Sequence, residues 1–221
     1  MGNFASANIT ISAFEWVPEF ARGQVRDLLV RWALEEVEAP YKTQLINAGA
    51  ARDDEYLGWQ PGGQVPSYSD IEGKMFESGA ILLHLGKKDP RLLPTDPSAR
   101  MQAESWLFAA IASVEPVLRP ITLTPLFHGD KDWSAHAVAS MIPQAETRLK
   151  QLSKALGDKD WLAGSFSVAD VMMAFVLRSF GGQMINDHPS LLSYRTRALS
   201  RPAFKRALQA QLDDLTGEPP H

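Results

Sequence analysis

The stretch KKDPRLLPTDPSAR, Lys87 to Arg100, divides the chain into two parts with different hydropathy periods. Pro90, Pro94 and Pro97 stand too close together for one helix, because each removes a backbone donor and fixes φ. Before this stretch, strand-like and helix-like runs alternate. NITISAF (Asn8–Phe14) is β-branched and alternating, which predicts a strand. QVRDLLVRWALEEV (Gln24–Val37) places Val25, Leu28, Leu29, Trp32 and Val37 near one helical stripe, and YKTQLI (Tyr41–Ile46) is a second strand after the Pro40 break. A polar run with at most one helical turn follows. QVPSY (Gln64–Tyr68) and KMF (Lys74–Phe76) then flank a turn and predict a hairpin, closed by a helix over Ser78–Gly86. Beyond the proline-rich stretch the strand signals vanish. The reading is an α/β domain over residues 1–87, a linker over 88–97 and an all-α domain over 98–221. Pro116, Pro120 and Pro143 are expected to end or kink the helices that contain them.

Composition narrows the chemistry. A net charge of −4 leaves no basic footprint for nucleic acid. The chain has no cysteine, so disulfides, thiolate metal sites and a cysteine nucleophile are excluded, and any thiol chemistry must use a ligand's thiol. The five histidines show no i,i+4 pairing or clustering that suggests a metal. No apolar run is read as long enough to span a bilayer, and the N-terminus lacks the basic and apolar regions of a secretory signal. Gly2 and Ser6 fit a short acylation pattern, read as coincidence. A cytoplasmic protein without membrane contact is expected.

The most informative segment is QVPSYSDIEGKMFESGAILLHL, Gln64 to Leu85. Proline in a strand is confined to edges, first positions and bulges. A Val65–Pro66 pair entering a short strand is a candidate for a cis peptide. It would turn the Val65 N–H and C=O outward, where an extended peptide can pair with them as an added strand. Ser78 at a helix start offers a hydroxyl and free N–H groups to a carboxylate, and Glu77 offers acceptors to an ammonium group. Together they match the two charged ends of an amino acid. The alternative is an ordinary cap and an ordinary acid favoured by the helix dipole. Farther on, FSVAD (Phe166–Asp170) is a capping box with a hydrophobic staple from Phe166 to Val171, a purely structural motif.

This order of elements, from Gln-Val-Pro through the hairpin, Glu-Ser, an apolar helix, a proline-rich linker and an all-α domain containing Ser-x-x-Asp, resembles the cytosolic glutathione S-transferase family. The resemblance spans nearly the whole chain, and the interval from Val65 to Glu77 fits the family's. It implies a thioredoxin-like N-terminal domain joined to an all-α helical bundle domain. It also implies glutathione as co-substrate, a homodimer, and a small hydrophobic electrophile as second substrate. Carried onto this sequence, Gln64 contacts the glycyl end or backbone of glutathione, and Val65 pairs with the cysteinyl moiety beside a cis Pro66. Glu77 and Ser78 hold the γ-glutamyl head.

One departure stands out. Most classes of the family place a Tyr, Ser or Cys after the first strand to stabilise the glutathione thiolate. The matching segment here, EWVPEFARGQVRD (Glu15–Asp27), contains none of these, nor a Thr. Its usual position falls near Gln24. Three readings stay open. Arg22 or Arg26, with N–H groups around Gly23–Val25, stabilises the thiolate; a residue from elsewhere does so; or glutathione is bound without being conjugated. The ordinary alternative for Arg22 is a solvated charge, and for Arg26 an ion pair with a nearby acid. Trp16, Trp106 and Phe108 are candidate walls of an apolar pocket facing the sulfur. The expected activity is thiolate attack on an apolar electrophile or a peroxide. The alternative is a non-catalytic module that binds glutathione, another ligand or a protein. Thiol–disulfide exchange ranks lower, since no mixed disulfide with the protein can form.

Overall fold

A computed structural model of the chain describes residue 4, residues 8–49 and residues 51–219. The Gly2–Ser6 acylation pattern lies outside the described residues. The chain forms two compact units, Met1–Leu93 together with Arg201–His221, and Pro94–Ser200.

The first unit is built on a mixed four-stranded sheet in the order β2-β1-β3-β4, with β1 Ile9–Phe14, β2 Tyr41–Ile46, β3 Ser67–Asp70 and β4 Gly73–Phe76. β1 and β2 are parallel, in register from Ile9 opposite Tyr41 to Phe14 opposite Ile46, and β3 is antiparallel to both β1 and β4. A parallel pair needs a crossover, supplied by α1 (Asp27–Glu36). Leu28, Leu29, Val30, Trp32, Ala33 and Leu34 of α1 are all fully buried. Truncating one of these leucines to Ala costs about 2–5 kcal/mol.

α1 starts three residues later than its hydropathy stripe predicts. Gly23, at φ 71, breaks the helical conformation just before it. β3 likewise starts at Ser67 and not at Gln64, because Pro66 has no N–H to give the ladder. The β3–β4 turn is tight. Asp70 faces Gly73, at φ 149, and the Asp70 carboxylate accepts the Glu72 N–H at 2.8 Å. The predicted helical turn in the polar run is α2 (Asp54–Trp59), capped by Asp53, whose side chain accepts the Tyr56 N–H at 2.7 Å.

The last helix, α9 (Pro202–Asp213), was expected in the all-α domain but packs on α1 in the first unit. Its buried residues Ala203, Phe204, Ala207 and Gln211 recur at helical spacing and form one face. The Phe204 ring meets the Trp32 ring at 4.9 Å. Arg201 forms a bidentate pair with Glu36 at 2.6 Å for each bond. A helix at the far end of the sequence is thereby recruited by apolar area and paired charge rather than by proximity along the chain.

The second unit is helical, with α4 (Pro97–Ala109), α5 (Glu115–His128), α6 (Ser134–Leu156), α7 (Val168–Phe180) and α8 (Pro189–Leu199). α7 is its core, with Val168, Ala169 and every residue from Val171 to Leu177 buried. The capping box is present, and the Asp170 carboxylate accepts from Leu162 N–H (3.0 Å), Ser167 N–H (3.0 Å), Ser167 Oγ (3.2 Å) and Tyr194 Oη (2.8 Å). Phe166 packs edge-on against Trp161 at 5.0 Å.

Pro120 and Pro143 do not end their helices. Pro116 sits in the first turn of α5, directly after a π-helical segment, Ala110–Val114, in which Glu115 N–H reaches back to Ala110 C=O. That wider turn joins α4 to α5 across the point where Pro116 cannot donate. The joined run Pro97–His128 is long and apolar enough, by length and composition, to cross a membrane, which corrects the expectation that no segment is. It packs against α6 and α7.

Candidate functional site

The Val65–Pro66 peptide bond is cis, at the entry to β3. Among the described residues no hydrogen bond engages the Val65 N–H or C=O. The loop that carries Val65 is fixed by a buried hydroxyl network that sequence reading missed. Tyr56 Oη donates to the Gln64 C=O at 2.6 Å. With its one proton committed there, Tyr56 Oη accepts from Ser12 Oγ at 2.9 Å and from Ser67 Oγ at 3.3 Å. Ser12 Oγ in turn accepts the Ser67 N–H at 2.7 Å. One hydroxyl from α2 therefore ties β1, β3 and the 64–66 loop together. The only sequence signal near Tyr56 is the Asp53 cap three residues before it, which speaks to a helix and not to a site. The Gln64 side chain is exposed beside this network, while Val65 and Pro66 are buried.

Across the hairpin, α3 (Ser78–Lys88) begins on an unusual residue. Glu77 is its N-cap, at φ 69 and ψ 111, and makes no side-chain capping bond. A non-glycine residue in this region is strained, and such strain gathers at ligand sites. Ser78 is the first helical residue and is not the cap, so its hydroxyl is released from capping. It is nearly fully buried and accepts from Arg26 Nε at 3.1 Å. The first-turn N–H groups of Ser78, Gly79 and Ala80 have no intrahelical acceptor, as at any helix start. A guanidinium, a hydroxyl and a helix N-terminus thus meet at one place, with the Glu77 carboxylate adjacent in the chain. That combination suits a carboxylate lying next to an ammonium group.

Arg26 therefore faces the Glu77–Ser78 corner. Arg22 is one-third exposed, with its Nε 3.8 Å from Glu19 Oε2. The Gln24 side chain is exposed, and the Gln24 N–H is committed to the Ala21 C=O at 2.9 Å. Trp16 is half-buried in the same loop. Trp106 and Phe108 lie on α4, the first half-buried and the second 54% exposed. Two positions apart on a helix, they point to different faces and do not make one wall.

One other polar grouping in the first unit looks chemical and is structural. Asp70, Glu72 and His84 bring a ligand atom each within 4.8 Å of one another. Lys88 Nζ already stands 2.8 Å from both Asp70 Oδ2 and Glu72 Oε1, where a cation would bind. Burial opposes the Asp70 charge. Hydrogen bonds from Lys88, the Glu72 N–H, His84 and Tyr68 outweigh it and hold the carboxyl well below the usual range. The group pins the hairpin to α3. An open groove of about 690 Å³ between α1, residues 38–40, the start of β2 and α9 includes Arg31, Tyr41 and Asp214 but none of the residues named above for the site.

Comparison with known proteins agrees with the fold. The family model for the glutathione S-transferase N-terminal domain matches residues 20–87. The disulfide-bond oxidoreductase YfcG of Escherichia coli is 29% identical over 202 residues, covering 82% of this chain and 89% of that protein. A glutathione S-transferase of Arabidopsis thaliana is 29% identical over 171 residues, covering 71% and 79%. A glutathione transferase from Burkholderia graminis, solved with two glutathione molecules per subunit, superposes with a TM-score of 0.78 at 22% identity, over 92% of this chain and 88% of that one. Ure2p in complex with glutathione superposes with a TM-score of 0.76 at 23% identity, over 92% and 94%. The sheet is that of a thioredoxin-like domain followed by helices, residues 20–87 match the glutathione S-transferase N-terminal domain, and the similarity to glutathione S-transferases runs through both units.

Proposed function

We propose that the chain binds glutathione along the Val65 edge and uses the bound thiolate as a nucleophile. The observation that carries this reading is the Arg26–Ser78 contact at the start of α3, which supplies a charged, hydrogen-bonding seat for the γ-glutamyl carboxylate. Glu77 takes the ammonium group beside it. The free Val65 N–H and C=O pair with the cysteinyl residue in antiparallel fashion, and Gln64 reaches the glycyl end. The chain direction then leaves the sulfur toward the loop of residues 15–26.

Thiol activation in this reading rests on charge and not on a hydroxyl. A free thiol has a pKa of about 8.5, and nearby cations or a helix N-terminus lower it. Arg22, Arg26 and the start of α1 provide that field, with Gln24 beside them. A preorganised field of this kind stabilises a thiolate without accepting its proton, which passes to solvent. The thiolate then attacks an apolar electrophile or a peroxide.

The similarity to a disulfide-bond oxidoreductase favours a second reading, reduction of a disulfide. The lack of cysteine forbids a mixed disulfide with the protein but not one with glutathione. The bound thiolate attacks one substrate sulfur, forming a glutathione mixed disulfide and releasing the other sulfur as thiolate. A second glutathione thiolate then attacks the glutathione sulfur, giving glutathione disulfide and the second substrate thiol. Two glutathiones are oxidised for one disulfide reduced.

Glutathione binding by calorimetry, the ultraviolet thiolate absorbance of the bound form, and turnover with an aryl halide, a peroxide and a small disulfide test these readings together. Binding with a thiolate band at neutral pH and turnover of one of the three supports the enzyme. Binding without a thiolate band or turnover sinks it and leaves a binding module.

A further inference from the structure

The loop of residues 15–26 carries Trp16, Arg22, Gln24 and Arg26 and has hydrogen bonds of its own, such as Ala21 N–H to Pro18 C=O and Gln24 N–H to Ala21 C=O. Both of its ends are held by the C-terminal segment. At the near end, the Glu15 C=O accepts the Gly217 N–H at 2.8 Å. The approach is close enough that a Cβ on residue 217 would lie 2.8 Å from Glu15 Cγ and 3.0 Å from Glu15 O. At the far end, Gln211 Nε2 donates to the Val25 C=O at 3.2 Å and to Asp27 Oδ1 at 2.6 Å. Asp27 Oδ2 accepts from Arg31 Nε at 2.8 Å, and Arg31 Nη2 reaches Asp214 at 2.6 Å. Asp27, Arg31 and Gln211 are each at most 3% exposed.

The Gln211 side chain is there for its donors. Its Oε1 is buried and has no partner among the described residues, a cost that an apolar residue of the same shape would avoid. The amide is retained at the one place where a single NH2 group bridges the last residues of the loop and the first carboxylate of α1. Arg26 lies between those two acceptors in sequence, so the bridge also fixes the backbone from which Arg26 reaches Ser78.

We propose that residues 211–217 act as a clamp that sets the position of the 15–26 loop, with Gln211 as its central positioning residue. The clamp itself is a statement about the free protein. Its consequence for glutathione rests on the function proposed above.

Hydrogen exchange of Gln211→Leu and Gly217→Ala, measured without ligand, tests it first. Losing a bond of this kind is expected to speed exchange of amides in residues 16–25 about fivefold or more, with α7 unchanged. The same variants are expected to raise KM for glutathione several-fold while leaving KM for the second substrate within about twofold. If Gln211→Leu does not fold, Asp214→Asn carries the same test, because it weakens the Arg31 link and leaves Gln211 in place. Unchanged loop exchange in the folded variants overturns the clamp. Faster loop exchange with no change in KM for glutathione upholds the clamp and overturns its consequence for glutathione. A wild-type chain that binds no glutathione overturns the proposed function instead, and leaves the exchange result to decide the clamp alone.

Discussion

Arg26 Nε donates to Ser78 Oγ at 3.1 Å, joining the residue before α1 to the first residue of α3 across 52 positions of sequence. Ser78 is free for this contact because Glu77 holds the N-cap position with a left-handed backbone. Hydrogen bonds to charged groups contribute about 1.5–3 kcal/mol. Arg26→Ala is therefore expected to weaken glutathione binding at least about tenfold, and Ser78→Ala by a comparable factor. The double variant should lose less than the sum, since both act on one carboxylate. Calorimetric titration of the four proteins with glutathione checks this. Strict additivity would place the two side chains on different parts of the ligand.

Tyr56→Phe should act at a distance from any ligand. It removes the donor to the Gln64 C=O and the acceptor used by Ser12 and Ser67. Buried groups left without partners cost about 1–3 kcal/mol. Urea denaturation should show a loss of that size, together with a raised KM for glutathione, because the 64–66 loop loses its tether. An unchanged denaturation midpoint would mean that the network is not holding the loop.

Two acids should give stability opposite slopes with pH. Asp70 is held below its ordinary value, so its contribution is present above the unfolded value of about 3.8 and is lost as pH falls below it. Asp170 is the reverse. Burial pushes it up to about 6, against hydrogen bonds from Leu162, Tyr194 and Ser167 that pull it down. The folded state then binds the extra proton between about 4 and 6, so this contribution is full below the unfolded value and is lost as pH rises through about 6. Denaturation midpoints measured from pH 3 to pH 8 should flatten at the acid end in Asp70→Asn. They should flatten between pH 4 and pH 6 in Asp170→Asn, which is also destabilised throughout. The same pH profile in both variants would contradict the assignment.

The sheet and the site were legible in the sequence to different degrees. β-branched alternation marked β1 and β2, and Val65-Pro66 and Glu77-Ser78 stood out because proline, an acid and a hydroxyl each break a local pattern there. What the sequence hid was side-chain reach across the fold. Arg26 reads as one charge among several until Ser78 is seen beside it. Tyr56 has no local mark at all, since its partners lie on β1, β3 and a loop. α9 carried a clear apolar face, but nothing local says which unit that face will cover. Pro120 and Pro143 did not end their helices. A π-helical segment before Pro116 let the backbone continue where hydrogen-bond counting predicts a break.

A crystal structure of the chain with glutathione tests the central claim most directly. The expected result is the γ-glutamyl carboxylate within hydrogen-bond distance of both Arg26 and Ser78, the cysteinyl backbone paired with Val65, and the sulfur above residues 22–26. Glutathione held elsewhere, or a carboxylate that leaves the Arg26–Ser78 pair untouched, would contradict the account.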